Sequence, residues 1–383
     1  MIMLKGCDKM KFPQKITNSL LAALVGVSLT TAAILPARAE AFDILSGAIA
    51  IASVAAQYSY LDKQVNYLNN DSKGRQEMMA STKKKYGVNE DPAANAMLER
   101  IMTRLSASIA QTDPTIREQP YSYFVNNQKT FNAFCTLGHN MSVNIGLFNV
   151  LNYNEDEIAF VVGHEMGHGQ RNDPADGVKK QMPITLLAAL YQSQNPNAAS
   201  VISSQVLANI GTAKGVTLPM EKRADKSAFE YCSRAGYNVG AGAAVWQRVI
   251  EKMGVSKEGF VSEIFNPSDH PGNISRRDNY NENITDWSND VVKVDKETGM
   301  ISVYNQKIGK PAPYASMSTL ERAYLVAGNL AAVYHDKGTS KAALTATNRD
   351  GIIYLGDQDV ITVSPKDNGA AWVNKLNAAN QTK

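Results

Sequence analysis

Two histidines and a glutamate in the stretch Val161–His168 have the types and spacing that suit metal chemistry. His164 and His168 are four residues apart, so on an α-helix both imidazoles point from one face toward a common ion. Glu165 lies about 100° around the helix, beside that ion. The H-E-x-x-H pattern is typical of zinc-dependent peptidases, in which the imidazoles hold Zn²⁺ and the glutamate is general base to a water. The alternative is a solvated helix with two surface histidines.

The residues around this motif predict a buried helix. Asn154 precedes Glu157 with the capping-box spacing, and acidic residues fill the first turn. An apolar body follows, with Gly163 and Gly167 leaving room for close approach of another backbone, and Pro174 marks the end of the helix. On a buried helix the two histidine rings are not solvated, and burying polar rings without partners is costly. The prediction of a buried helix therefore argues against two surface histidines.

The position of a third ligand distinguishes the classes of zinc peptidase. The three-histidine class requires glycine at position 171 and histidine at position 174, but the chain has Arg171 and Pro174, which excludes that class. The main alternative is a glutamate on a later helix. No acid occurs between Asp176 and Glu221, so Glu221 is the first candidate downstream.

Asp225 lies one turn beyond Glu221 on the same face of a predicted helix that ends at Gly236. From there it can accept a ring N–H from a ligand histidine, which fixes the tautomer and orientation of that ring. The alternative for Asp225 is an acid on the helix surface. Cys232 on this helix could form a disulfide with Cys135 in an exported protein. If Cys135 lies on a strand beside the metal, however, the two sulfurs need not meet.

A β-hairpin is predicted upstream of the metal helix. Its strands are Phe131–Cys135 and Met141–Ile145, with the turn at Leu137–Asn140. Beside a metal cleft, an edge strand can offer backbone groups to an extended peptide by β-augmentation. The alternative is an ordinary hairpin that contributes only packing.

Four short motifs, taken in order, resemble those of the gluzincin peptidase family of HtpX, the CAAX prenyl endopeptidase and the BepA-type periplasmic proteases. They are Asn132-Ala133-Phe134, His164-Glu165-x-x-His168, Glu221-x-x-Ala224-Asp225, and His270-Pro271 with Arg276. The resemblance covers about residues 70–285. It implies a zincin-like (minigluzincin) α+β fold, mainly helical with a small antiparallel sheet.

The resemblance also implies roles for individual residues. One Zn²⁺ per chain is expected to be bound by His164, His168 and Glu221, with Glu165 as the general base.

Asn132 and Ala133 are expected on the substrate-binding edge strand. His270 would lie near the metal, either polarising the oxyanion or closing the fourth zinc position, although a histidine before proline is more often a loop residue. Arg276 would be a structural or site-lining partner. The chain departs from the family pattern at Cys135–His139, where small and glycine-rich residues are expected.

The N-terminus has the layout of a secretory signal peptide. Basic residues precede the uncharged apolar run Leu20–Leu35, and a small-residue site predicts cleavage after Ala39. Retention as a membrane anchor is the alternative, but the run is short for a span. Removing residues 1–39 takes away five basic groups and one acid, which changes the formal net charge from +3 to −1. Together with the absence of a dense Lys/Arg cluster, this gives nucleic-acid binding little support.

With 383 residues and 44% hydrophobic content, the chain is long enough for two or three domains. We predict a signal peptide at 1–39, a zinc peptidase domain at 40–289 and a small accessory α+β domain at 290–383. Two hairpin-plus-helix units are expected in the last region. A helix at 42–67 is expected to pack in the core or touch a membrane surface, and an apolar helical hairpin at 182–210 to be either core or a mobile cover.

These features together predict an exported zinc endopeptidase, periplasmic or secreted, that acts in envelope protein quality control. Its substrates would be misfolded or unassembled envelope polypeptides. One rival is a chaperone or assembly factor for envelope proteins with a latent metal site. A second rival, a zinc-stabilised domain without catalysis, is weakened by Glu165, because a purely structural site needs no base.

Overall fold

The computed structural model describes residues 58–180, 217–253, 272–335 and 344–381, all within one compact unit, Ile49–Lys383. Four of the predicted features therefore lie outside the described residues: the signal peptide, the first part of the 42–67 helix, the apolar hairpin at 182–210, and His270. No helix in the described part of the chain is long and apolar enough to cross a membrane.

The region that carries the predicted motifs is mainly helical. Residues 58–70 and 173–180 are helical. The other helices are α1 (Ser72–Tyr86), α2 (Pro92–Ile109), α3 (Thr115–Glu118), α4 (Ile145–Val150), α5 (Glu155–Gln170), α6 (Leu218–Arg234), α7 (Ala241–Met253) and α8 (Asn273–Trp287). The strands are β1 (Ser122–Asn126), β2 (Ala133–Thr136) and β3 (Asn140–Asn144). The predicted hairpin strands and the helices that carry the H-E-x-x-H motif and Glu221 are present, with boundaries shifted by a few residues. The described part of the helix expected at 42–67 extends to residue 70.

The sheet of this region is mixed, with the strand order β1-β3-β2. The predicted hairpin is confirmed, since β2 pairs antiparallel with β3 and Ala133 lies opposite Val143. The prediction of an antiparallel sheet is wrong for β1, which pairs parallel with β3 and places Ser122 opposite Asn140. A hairpin can be predicted from the sequence because its two strands are adjacent in the chain. The partner of β1 cannot be predicted in this way, because β3 lies between β1 and β2 in the sheet.

Buried amides hold the loop that leads into the edge strand β2. The Asn126 side chain donates to Ser142 Oγ at 2.8 Å and to Asn144 Oδ1 at 2.7 Å. Asn144 in turn donates from its side chain to Thr130 Oγ1 at 2.8 Å and from its backbone to the Asn132 carbonyl at 3.0 Å. Buried polar groups that are paired in this way specify one arrangement, so β2 begins at a fixed place.

Helix α5 begins as predicted but uses its first-turn glutamate differently. Asn154 caps the helix by accepting from the Glu157 N–H at 3.2 Å. The Glu157 carboxylate does not remain at the surface. It is 0% exposed and lies 3.2 Å from Nη2 of Arg248 in α7. The helix ends at Gln170 and the chain turns at Arg171–Asn172. Pro174, predicted to mark the end of α5, lies in the first turn of the next helical segment, 173–180.

Glycines allow α5 and α6 to pack closely. A Cβ on Gly167 would lie 3.1 Å from Ser227 Cβ and 3.2 Å from Ala224 Cα, and a Cβ on Gly163 would lie 3.3 Å from Cys232 Sγ. These separations are shorter than ordinary carbon and sulfur contacts. The absence of side chains on the two glycines therefore sets how near α6 comes to the histidine helix.

The C-terminal region contains two units of three strands and a helix. The first comprises β4 (Val292–Val294), β5 (Ile301–Val303), β6 (Gln306–Gly309) and α9 (Thr319–His335); the second comprises β7 (Ala346–Arg349), β8 (Ile352–Leu355), β9 (Gln358–Thr362) and α10 (Gly369–Gln381). Both predicted hairpins and both helices are confirmed. Each unit also has a third antiparallel strand, β6 or β7, that the sequence prediction missed.

Each helix of the two units packs on both sheets. Helix α9 packs on β4 of its own unit and on β9 of the second unit, and α10 packs on β7 of its own unit and on β6 of the first. Helix α9 also packs against α7, and their apolar side chains belong to one continuous core. A buried ion pair joins the same two helices, with Arg248 Nε 2.9 Å from Glu321 Oε1. The division into domains near residue 289 stays a prediction.

Cys135 and Cys232 are both free thiols and both buried. The Cys232 thiol donates to the Ala159 carbonyl at 3.4 Å, inside the contact between α5 and α6. Burial raises the pKa of both thiols well above the usual range, which keeps them protonated. The two cysteines therefore act as packing residues.

Candidate active site

The three predicted metal ligands meet at one buried point. His164 and His168 project from α5 with their Nε2 atoms 3.1 Å apart. Glu221, in the first turn of α6, places Oε2 3.3 Å from His164 Nε2 and Oε1 3.1 Å from His168 Nε2. All three side chains are buried, and one ligand atom from each lies within 4.8 Å of the others.

This donor set fits a divalent cation. Two imidazole nitrogens and one carboxylate are the protein ligands of one class of catalytic zinc site, which keeps a further position open. The electrostatics also favour a positive charge at the centre. Burial lowers the pKa of His168, but hydrogen bonds to Asp173 and Glu221 and the charge of Glu165 outweigh it and raise that pKa to about 10. A proton or a metal ion can supply the charge.

Each histidine is oriented by a carboxylate on its outer nitrogen. Asp225 Oδ1 lies 2.9 Å from His164 Nδ1, the contact predicted from its place one turn after Glu221. Asp173 Oδ2 lies 2.8 Å from His168 Nδ1. A proton on Nδ1 leaves the lone pair of Nε2 facing the centre, as a metal ligand requires.

Asp173 was missed by the sequence analysis. It lies in the segment expected to end α5, and its only signal in the sequence is an acid five residues after His168. Such an acid becomes a partner because the chain turns at Arg171–Asn172 and returns toward the ring.

Arg276 of α8 lies behind His164. Its Nε donates to Asp225 Oδ2 at 2.9 Å and its Nη2 donates to Asp225 Oδ1. Nη2 also lies 3.0 Å from His164 Nδ1. Because the aspartate can only accept, we assign the Nδ1 proton to the bond with Asp225. The guanidinium stacks 3.8 Å from the ring centre of Trp246.

This pairing tunes the pKa of Asp225. Burial alone raises it, but the charge of Arg276 and the hydrogen bond with His164 outweigh burial, so the pKa lies below the usual value. The Tyr280 hydroxyl adds a hydrogen bond to the Asp225 carbonyl at 3.1 Å. Asp225 therefore stays ionised and holds the ring.

Glu165 lies between the histidines and the edge strand. Its Oε2 accepts from the Cys135 backbone N–H at 3.1 Å, which fixes the carboxylate against β2. Burial raises the pKa of Glu165, the two histidines lower it and Glu221 raises it, with a net increase. A raised carboxylate pKa suits a group that must both accept and return a proton near neutral pH.

The free edge of β2 faces the same space. Antiparallel pairing alternates, so that residues bonded to the partner strand are followed by residues whose backbone groups point outward. The Asn132 carbonyl bonds to β3 and the Cys135 N–H points to Glu165. Ala133 therefore directs its N–H and carbonyl toward the free edge.

Asn132 stands beside this edge with an unused side chain. It is buried, and among the described residues neither its Oδ1 nor its Nδ2 has a hydrogen-bond partner. An unpaired buried amide is costly. Asn132 and Ala133 line a cavity that also contacts His164 and Glu165.

His139 is the histidine in the segment that departs from the family pattern, and it holds the hairpin turn. It is buried and stacks on Tyr121 with ring centres 4.4 Å apart. Its ring nitrogens lie 2.7 Å from the Gln119 carbonyl and 3.1 Å from the Gly169 carbonyl. His139 therefore fastens the hairpin to the end of the histidine helix. The role predicted for His270 stays a prediction.

A histidine pair and a glutamate from a second helix, with a carboxylate beside them on the histidine helix, define the metallopeptidase class. The chain belongs to peptidase family M48, whose family model matches residues 92–283, half of the chain. The predicted resemblance to the gluzincins that include the BepA-type proteases is confirmed.

Several curated proteins are similar to this chain. The metalloprotease LoiP of Escherichia coli is 28% identical over 186 residues, which cover 48% of this chain and 69% of LoiP. The beta-barrel assembly-enhancing protease of Yersinia pestis is 26% identical over 233 residues, covering 58% of this chain and 43% of the relative. The mitochondrial metalloendopeptidase OMA1 of Arabidopsis thaliana is 28% identical over 130 residues, which cover 34% of this chain and 26% of OMA1. The chain thus spans about a quarter of OMA1, under half of the Yersinia protease and about two thirds of LoiP.

Proposed function

We propose that this protein is an exported zinc endopeptidase with a zincin-like catalytic fold. The observation that carries this proposal is the buried convergence of His164, His168 and Glu221 with Glu165 beside them, at the free edge of β2. Membership of family M48 supports it.

In the proposed mechanism, the two histidines and Glu221 hold the ion, and Asp225 and Asp173 keep the rings in the binding tautomer. A bound Zn²⁺ supplies Lewis-acid chemistry toward a peptide carbonyl and a water. Glu165 accepts the proton of the attacking water and then donates it to the nitrogen of the leaving amine. The Cys135 N–H keeps the Glu165 carboxylate in place through both transfers.

The substrate is proposed to bind as an additional strand along β2. Main-chain bonds to the outward N–H and carbonyl of Ala133 would give affinity without dependence on substrate sequence. The Asn132 amide would pair with a substrate peptide group, which satisfies an otherwise costly buried side chain. We propose that Arg276 acts indirectly, by holding Asp225 against His164.

We propose envelope protein quality control as the setting, with misfolded or unassembled envelope polypeptides as substrates. The support is the predicted signal peptide with cleavage near Ala39 and the similarity to relatives named beta-barrel assembly-enhancing proteases. Peripheral contact with a membrane surface is part of the same proposal and rests on the apolar segment near residues 42–57.

The test replaces the base and one ligand separately. Glu165→Gln is expected to keep stoichiometric zinc, measured by elemental analysis, and to lose casein cleavage; cleavage at the native rate would refute the mechanism. Glu221→Ala is expected to lower zinc content. Glu230→Ala on the same helix is the control, because Glu230 is exposed and faces away from the centre.

A second candidate, an assembly factor for envelope proteins with a latent metal site, is favoured by one observation. The two strand-and-helix units of residues 292–381 lie outside the segment matched by the family model. Restoration of a deletion strain by the Glu165→Gln protein would favour that candidate, and failure to restore it would favour peptidase activity.

A further inference from the structure

Asn69 lies where three separate parts of the chain meet. It is the next-to-last residue of the helical segment 58–70 and is 7% exposed. Its Oδ1 accepts from the Gly138 backbone N–H at 2.8 Å, and its Nδ2 donates to Asn172 Oδ1 at 3.0 Å. A backbone N–H can only donate, so the bond with Gly138 fixes which way the amide faces. The donating end of Asn69 is therefore turned toward Asn172.

The backbone around Asn69 is itself held in place by the start of α1. Asp71 caps that helix, because its side chain accepts from the N–H groups of Lys73 and Gly74 at 2.9 and 3.2 Å. The Asn69 carbonyl accepts from Gln119 Nε2 at 2.8 Å. The Asn69 side chain is therefore presented from a fixed backbone.

Asn172 is the residue at which the chain turns after α5. Its φ is +54°, in the left-handed region that asparagine adopts more readily than most residues. Its N–H donates to the Gly169 carbonyl at 2.9 Å. The next residue is Asp173, whose Oδ2 lies 2.8 Å from His168 Nδ1. The bond from Asn69 therefore holds the turn that presents Asp173 to the histidine.

The helical segments 58–70 and 173–180 are joined a second time, two turns along. Lys179 Nζ lies 3.0 Å from Asp62 Oδ1 and donates to Asn66 Oδ1 at 2.8 Å. One attachment at each end keeps the second segment from pivoting about the contact between Asn69 and Asn172. Asp173, at the start of that segment, is thereby fixed from both ends.

Gly138 is a turn residue of the β2–β3 hairpin, with a φ of +73°. Besides the bond from its N–H to Asn69, its carbonyl accepts from Arg75 Nε of α1 at 2.7 Å. Gly138 follows Cys135 by three residues, and the Cys135 N–H holds the Glu165 carboxylate. Asn69 and Arg75 therefore fix the end of the strand along which the substrate is proposed to bind.

We propose that Asn69 is a positioning residue for both the metal centre and the substrate strand. Through Asn172 it keeps Asp173 against His168, and through Gly138 it keeps the end of β2 in place. The strand half of the inference rests on the proposed endopeptidase function. Asn69 precedes the segment 92–283 that the family model matches, so this role belongs to a part of the chain added to that segment.

The first test measures the zinc affinity of the full chain by competition with a chromogenic chelator. Asn172→Gly permits the left-handed turn but removes the oxygen that Asn69 binds, and Asn172 is exposed, so the variant is expected to fold. Its zinc dissociation constant is expected to rise about three- to tenfold, less than when a carboxylate behind a ligand is lost. Asn152→Gly is the matched control, because Asn152 is also exposed and has a φ of +49°. Equal zinc affinity in the two variants would overturn the metal half of the proposal.

The second test asks whether Asn69 acts through Asn172. Asn69→Ala is combined with Asn172→Gly, and the zinc dissociation constants of both single variants and the double variant are compared. If one contact carries the effect, the double variant binds zinc no more weakly than Asn69→Ala. Losses that multiply would show two independent effects and would contradict the proposed route.

The third test separates the two contacts kinetically, with saturating zinc and one peptide substrate. Asn172→Gly keeps the bond to Gly138 and is expected to keep the native KM, whereas Asn69→Ala is expected to raise KM by about threefold or more. A general loss of stability would not separate the variants in this way. A native KM in folded Asn69→Ala protein would remove the strand half of the proposal.

The outcomes distinguish this inference from the proposed function. If native protein cuts neither the peptide nor casein, the endopeptidase proposal and the strand half fail together, while the zinc affinities still decide the metal half. Native cleavage with unchanged zinc affinity and unchanged KM in the Asn69 and Asn172 variants would leave the endopeptidase intact and overturn the role of Asn69.

Discussion

Nδ1 of His168 lies 2.8 Å from Oδ2 of Asp173, just beyond the end of the helix that carries both histidines of the candidate metal site. The contact between His164 and Asp225, at 2.9 Å, is its counterpart on the other ring. Both imidazoles are therefore held from behind by buried carboxylates. One carboxylate comes from α6 and the other from the start of the helical segment 173–180, so the two rings are fixed by different parts of the fold.

Replacing Asp173 by Ala is expected to weaken zinc binding by about 10- to 100-fold, because His168 loses the partner that fixes its tautomer. Competition with a chromogenic chelator measures the affinity. Asp176→Ala provides the matched control, since Asp176 is an exposed acid three residues on. An affinity equal to that of the control would show that Asp173 does not support the ligand.

Gly167→Ala is expected to lower zinc affinity without touching any ligand. The new Cβ would lie 3.1 to 3.2 Å from Ser227 Cβ and Ala224 Cα, and the α6 backbone can relieve this only by moving away from α5. Glu221 would then move away from the two Nε2 atoms. Gly272→Ala is the control, because no atom of the described residues lies within 4 Å of a Cβ there. Elemental analysis after dialysis measures retention; full retention in Gly167→Ala would contradict the packing argument.

Glu157 makes stability depend on pH in a defined direction. Burial raises its pKa, Arg248 lowers it and Glu321 raises it again, to about 7 from an ordinary value of 4.5. Asp156 adds to the increase. Between those two pH values the native state holds a proton that the unfolded state has released, so the free energy of unfolding falls as pH rises through this window. At about 1.4 kcal/mol per pK unit, the loss is about 3 kcal/mol.

In Glu157→Gln this loss is expected to disappear, leaving a flatter profile of unfolding free energy between pH 5 and 7. The remaining slope would include Glu321, whose pKa is also raised by burial. Urea unfolding at several pH values measures the profile, and Glu230→Gln serves as an exposed control. A Glu157→Gln profile as steep as the native one would show that this carboxyl does not hold the proton.

Ending the chain after residue 289 is expected to prevent cooperative folding. Helix α7 would lose its contact with α9, and Arg248, which is 1% exposed, would lose Glu321. Breaking a buried ion pair costs about 3–5 kcal/mol. Exposing the apolar side chains that pack against α9 adds to this cost. The total stability of a domain is only about 5–15 kcal/mol. Gel filtration and thermal unfolding measure the outcome. A truncated protein that melts like the full chain would establish a separate peptidase domain.

Much of the candidate metal centre is determined by the sequence alone. The four-residue spacing of His164 and His168 and the four-residue spacing of Glu221 and Asp225 each put two side chains on one helix face. Helix periodicity is a local property, so it can be read without a fold. The absence of acids between Asp176 and Glu221 made Glu221 the first candidate, and the structure brings it to the two rings.

The tertiary structure decided everything that depends on partners distant in sequence. The parallel pairing of β1 with β3, the burial of Arg248 between Glu157 and Glu321, and the cavity beside Glu165 all join separate elements. Residues such as Trp246 and Tyr280 look like ordinary core positions in the sequence, because apolar spacing predicts burial but not what a side chain faces. Only the crossing of α5, α7 and α8 turns them into the wall of that cavity.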